Sequence, residues 1–77
     1  MVIPAHYIEI GQRASIVWMA HEPYMKKRLE DIGFQKDAAI QCVLKGKKGE
    51  MIAYLVRDAV IALRKEDASR LFVKILP

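Results

Sequence analysis

Arg28-Leu29-Glu30-Asp31-Ile32-Gly33-Phe34 contains both a helix and the device that stops it. Glycine suits the left-handed residue just past a helix C-terminus, and counting back from Gly33 puts Leu29 at the position whose carbonyl the capping bonds reach, with Phe34 just beyond. An apolar contact between Leu29 and Phe34 completes a Schellman-type stop. The corner turns a helix sharply into a strand-rich half. Arg28 lies one residue from the apolar stripe, so it either faces a partner or holds the helix to a nearby carboxylate.

Upstream of the corner, Glu22 followed by Pro23 reads as a helix start, because proline suits the first helical position. The helix is expected from about Pro23 to Ile32, with Met25, Leu29 and Ile32 on one face and Lys26, Lys27, Glu30 and Asp31 toward water. Lys26 with Glu30 and Lys27 with Asp31 are i, i+4 pairs in the weaker orientation, worth at most a few tenths of a kcal/mol each. Earlier still, Ile8 and Ile10 alternate around Glu9, and Ala14, Ile16 and Trp18 recur at every second position. That spacing predicts strand with one buried face.

Downstream, Ile40, Cys42 and Leu44 share one side of a predicted strand, and Gly46-Lys47-Lys48-Gly49-Glu50 forms a turn. Ile52, Tyr54 and Val56 alternate in the next strand, and Arg57-Asp58 makes a two-residue connection to Ala59–Leu63. Neither is glycine, so a left-handed residue here falls on Asp58, which tolerates it better than Arg57. Lys65 to Arg70 suits one or two helical turns, and Leu71, Val73 and Ile75 close the chain as a strand. Short strands, tight turns and too little chain to cover both faces of an open sheet predict a mainly β fold with one or two short helices, a small SH3-like β-barrel spanning residues 1–77.

Thirteen Lys and Arg against nine Asp and Glu give a net charge of +4, which favours acidic partners: nucleic acid, anionic lipid or acidic protein surfaces. The candidates for facing such a partner are Arg28, Lys45, Lys47, Lys48, Arg64 and Lys65. With 53% hydrophobic residues the chain supports a packed core. No stretch approaches the roughly 20 apolar residues that span a bilayer, and the single cysteine forms no internal disulfide, so a cytoplasmic setting is expected.

Enzymatic chemistry finds no foothold. His6 and His21 are fifteen residues apart and lack the company of three or four ligands that a transition-metal site needs, so both are expected at the surface. Cys42 reads as a small core residue with no base beside it. Glu30-Asp31 and Glu66-Asp67 point apart on their helices, and Gly46-Lys47-Lys48-Gly49 lacks phosphate-loop spacing. No metal or cofactor is expected, and Trp18 and Tyr54 read as core or barrel-mouth aromatics.

Arg28-Leu29, Ile32-Gly33-Phe34, the run from Val60 to Ala68 and the closing Leu71-Phe72-Val73 together resemble the FeoA family, ferrous iron transport protein A, from about Ile10 to Ile75. The resemblance implies an SH3-like fold and a cytoplasmic accessory protein of bacterial ferrous iron uptake. Its implied partner is the cytoplasmic part of the membrane permease FeoB, which carries a GTP-binding domain. Two departures fall in turns: Lys36-Asp37 stands where the family usually has Pro-Gly, and Asp58 where it usually has glycine. The family is also similar to the C-terminal domain of iron-dependent repressors, which keeps a regulatory role open. Nucleic-acid binding by a basic barrel and direct iron carriage, through His6, His21 and acidic residues, are the other readings the sequence allows.

Overall fold

The computed structural model describes residues 1–77 and shows the predicted corner. Helix α1 runs Pro23–Asp31; the Glu22 carboxylate caps it by accepting from the Met25 N–H at 2.7 Å. At its other end the Phe34 N–H donates to the Leu29 carbonyl at 2.9 Å and the Gly33 N–H to that of Glu30 at 3.1 Å, the paired bonds of a Schellman stop. Gly33 has φ +118°, and Leu29 and Phe34 both enter the core. Ile32 caps the helix instead of ending it and is 42% exposed, so the buried stripe narrows to Leu29 with Met25 packed beside it. Of the two ion pairs only Lys27–Asp31 forms, at 3.5 Å and in water.

Six strands follow one another as β1 (Val2–Pro4), β2 (Arg13–Met19), β3 (Ala39–Lys45), β4 (Met51–Val56), β5 (Ala59–Arg64) and β6 (Leu71–Ile75). A 3-10 turn, Ala5–Tyr7, follows β1, and a one-turn helix α2, Lys65–Ala68, joins β5 to β6. All pairings are antiparallel, in the order β1-β6-β2-β3-β4-β5. The sheet coils round one core. Its two ends do not pair with each other; α2 packs against β4, β5 and the 3-10 turn, and that turn packs against β6, filling the gap. The result is the small SH3-like barrel that the sequence predicts.

Two breaks in register change which side chains face inward. Between Ile16 and Trp18 the pairing of β2 with β6 slips, so Ala14, Ile16 and Met19 are buried while Trp18 is 59% exposed. Between Cys42 and Leu44 the pairing of β3 with β4 slips likewise, which sends Leu44 into solvent. A bulge adds one residue to one strand, and because side chains alternate with period two, everything beyond it changes face. Strict alternation therefore assigned Trp18 and Leu44 to the wrong side.

The amino-terminal segment also departs from expectation. Ile8 is fully buried and Ile10 exposed, but neither lies in a strand. The edge strand β1 is only three residues long, too short to show alternation. At the β4–β5 hairpin the left-handed residue is Arg57, φ 54°, not Asp58. Asp37, at one of the positions where the family usually has Pro-Gly, takes φ 72°. Aspartate is among the few side chains that accept that region readily.

Tyr54 and Phe34 meet edge to face at 6.4 Å in the middle of the core, with the Tyr54 hydroxyl donating to the Ala5 carbonyl at 2.9 Å. Burial raises the Tyr54 pKa far above its ordinary value. Cys42 is fully buried, and burial pushes its thiol up as well. No helix is long and apolar enough to cross a membrane.

Candidate docking surface

Because α1 is held by its capped C-terminus and by Leu29, it stands beside the β4–β5 hairpin with a groove between. The groove has a volume of about 330 Å3; Met25, Leu29 and Ile32 form the helix wall, and Met51, Ile61 and Leu63 the sheet wall. Ile32 and Met51 are exposed here, each by about two-fifths. Partial exposure of large apolar side chains in one concavity is a feature of docking sites more than of idle surface.

Two of the six predicted partner-facing residues come together on this rim. Arg28 lines the groove and makes no ion pair; its guanidinium lies over the Tyr24 ring at 5.9 Å. The carboxylate tether considered from sequence is absent. Arg64 also lines the groove, but its Nε donates to Asp67 Oδ2 at 3.2 Å and lies 3.5 Å from Glu66. Arg57, a cation the sequence reading did not single out, stands at the helix corner outside the groove lining, its Cδ and Nε 3.3 Å from where a Cβ on Gly33 would sit. Its backbone is left-handed, φ 54°, which nothing in local sequence signals.

The four lysines lie elsewhere. Lys45 reaches the His6 carbonyl with its Nζ at 3.4 Å, and the Lys65 N–H donates to the Glu50 carbonyl at 2.8 Å, so both flank the 3-10 turn end of the barrel. His6 is held below its ordinary pKa, first by burial and then by the charges of Lys65 and Lys45. Lys47 and Lys48 are exposed on the β3–β4 turn. Six residues read as one set thus separate into an arginine rim and a lysine end.

His21, expected at the surface, is buried and donates from Nε2 to the Asp67 carbonyl at 2.7 Å. That bond ties the β2–α1 connection to α2 across 46 residues of chain, so its role is structural. No group of three or more His, Cys, Asp or Glu side chains is arranged to hold a metal ion. On the outer face, the exposed Trp18 stacks on Phe72 at 5.1 Å.

An SH3-like barrel with an apolar groove between helix and sheet defines the class, a small β-barrel domain. The chain belongs to the FeoA family: the family model of the FeoA domain matches residues 5–75. Its place is therefore in ferrous iron transport. The FeoA protein from Chlorobium tepidum superposes with a TM-score of 0.93 at 24% identity, over 97% of this chain and 71% of that one. The zinc-complexed FeoA of Stenotrophomonas maltophilia, described as a prokaryotic SH3 domain protein, superposes with a TM-score of 0.77 at 27% identity, over 96% and 89%. A manganese-dependent transcriptional repressor shares the fold at a TM-score of 0.87 and 17% identity, but this chain spans only 37% of it. No curated protein matches the sequence.

Proposed function

We propose that this protein is an accessory protein of ferrous iron transport that works in the bacterial cytoplasm, where it binds the cytoplasmic part of the membrane permease FeoB and modulates its assembly or GTPase-linked activity. Residues 1–77 act as one FeoA-type domain. The observation that carries the reading is the family match across residues 5–75. The exposed groove supports it, because an accessory protein without catalysis acts by contact and Arg28 is a charged anchor there with no ion-pair partner. Arginine is favoured at such contacts because its planar fork engages carboxylates in two bonds at once. Arg28→Ala tests it: permease binding is expected to fall with the melting temperature unchanged, and unchanged binding would remove Arg28 from the interface.

One observation favours a second reading. The exposed Trp18 stacks on the half-buried Phe72, and Lys74 lies two residues from Phe72 on the same strand. Single-stranded nucleic acid binds to such combinations of aromatic face and positive charge. Affinity falling steeply with salt would support it, and absence of binding at low salt would end it.

A further inference from the structure

The sheet has two free edges, and they are not alike. β1 is three residues long and ends in Pro4, a blunted edge of the kind that resists pairing. β5 is six residues long, pairs with β4 in unbroken register, and carries only Ala59, Val60, Ile61, Ala62 and Leu63 between Asp58 and Arg64. It has no proline, no bulge and no charge within those five residues.

The backbone of this edge is open. The two-residue hairpin makes Val56 with Ala59 the hydrogen-bonded closing pair, and antiparallel ladders alternate from there, so Val60, Ala62 and Arg64 turn their N–H and C=O groups away from β4. No turn, loop or cap bond engages the groups of Val60 or Ala62, whereas the Arg64 carbonyl, at the N-cap of α2, belongs to the first turn of that helix and leaves only its N–H outward. The open edge borders the groove under α1, where Met25, Ile32 and Met51 offer apolar contact. Arg28 stands on the helix side, and Arg57 and Arg64 flank the strand at either end.

We infer that the β5 edge is a strand-addition site, which takes up one extended segment of a partner protein, apolar at alternate positions and acidic at its flanks, as a seventh strand beside α1. Main-chain bonds to Val60, Ala62 and the Arg64 N–H hold the segment, its alternate side chains enter the groove, and its carboxylates meet Arg28 and Arg57. Charge selects this occupant over a second copy of the chain. A copy carries a net +4 and brings the same three guanidinium groups to the junction, whereas an acidic segment neutralises them. The identity of the partner, though not the site, rests on the permease reading above.

Val60→Pro and Ala62→Pro remove an outward N–H that the fold does not use, a substitution that edge strands tolerate. Titration of the wild-type chain and both variants against the cytoplasmic region of FeoB, with melting curves for each, is expected to show intact folding and binding weakened about tenfold or more. Hydrogen exchange should show the Val60, Ala62 and Arg64 amides protected only in the complex. Should the folded variants bind FeoB like wild type, the edge inference is overturned and the permease reading stands. Should wild type not bind FeoB, the permease reading fails, and a capped synthetic peptide of alternating valine and glutamate becomes the probe at millimolar concentration. Protection of the three amides by that peptide supports the site; absence of protection overturns it. Concentration-dependent self-association that protects β5 without any partner overturns the choice of occupant. If both proline variants unfold, Arg57→Glu with exchange at the same three amides decides, unchanged affinity counting against the inference.

Discussion

Gly33→Ala is the substitution that probes the corner most sharply. Its φ of +118° lies about 60° beyond the centre of the left-handed basin near +57°, so an L side chain there is strained wherever its neighbours stand. The neighbours also stand close: a Cβ would meet Val56 Cγ2 at 3.2 Å and the Arg57 Cδ and Nε at 3.3 Å. Strain of this kind costs about 1–3 kcal/mol, and crowding against the buried Val56 adds to it, giving about 3 kcal/mol in all. A chain of this size holds about 4–12 kcal/mol of stability, so the loss is a large share of it. Gly49→Ala is the control, because Gly49 has φ +73° and nothing within 4 Å of a new Cβ; about 1 kcal/mol is expected there. Urea unfolding should separate the two, and the Gly33 variant should melt about 12–24 °C lower than wild type. Equal losses at the two positions, or a loss under about 1 kcal/mol at Gly33, would refute the reasoning that backbone strain and Val56 together require glycine at the corner.

Tyr54→Phe removes the 2.9 Å bond to the Ala5 carbonyl, which keeps the Ile8 N–H as a donor at 3.2 Å, so urea unfolding should show a loss of only about 1 kcal/mol with an unchanged slope. Asp37→Gly relieves a left-handed backbone at an exposed turn residue and should raise the unfolding free energy slightly, by about 0.5 kcal/mol, read as a higher urea midpoint. His6 has a folded pKa below its ordinary 6.5, so the unfolded chain takes up its proton first: stability is full above pH 6.5 and declines as pH falls from there toward the lowered value. Urea midpoints measured between pH 7.5 and 5.5 should show that decline in wild type and a flatter profile in His6→Asn.

Legibility from sequence follows the range of the forces involved. The helix corner was readable because Glu22, Pro23, Leu29, Gly33 and Phe34 are all local signals, and the structure uses each as predicted. The barrel followed from strand spacing and chain length. What failed was set by long-range register: the bulges that turn Trp18 and Leu44 outward are visible only against their partners on β6 and β4. His21 likewise looked like a surface histidine, since its carbonyl partner on Asp67 is 46 residues away. Of the candidate surface, charge marks Arg64, and charge with a place one residue from the apolar stripe marks Arg28, but the groove between them needs the docked helix. Arg57, beside Gly33 at the helix corner, carries the left-handed φ of 54° that sequence preference would assign to Asp58.

The most direct measurement is a titration of the intact protein against the cytoplasmic region of FeoB, with and without guanine nucleotide, at low and at moderate salt. Saturable binding that Arg28→Ala weakens, with the variant's melting temperature unchanged, is the predicted result. No binding under any of the four conditions contradicts the docking role.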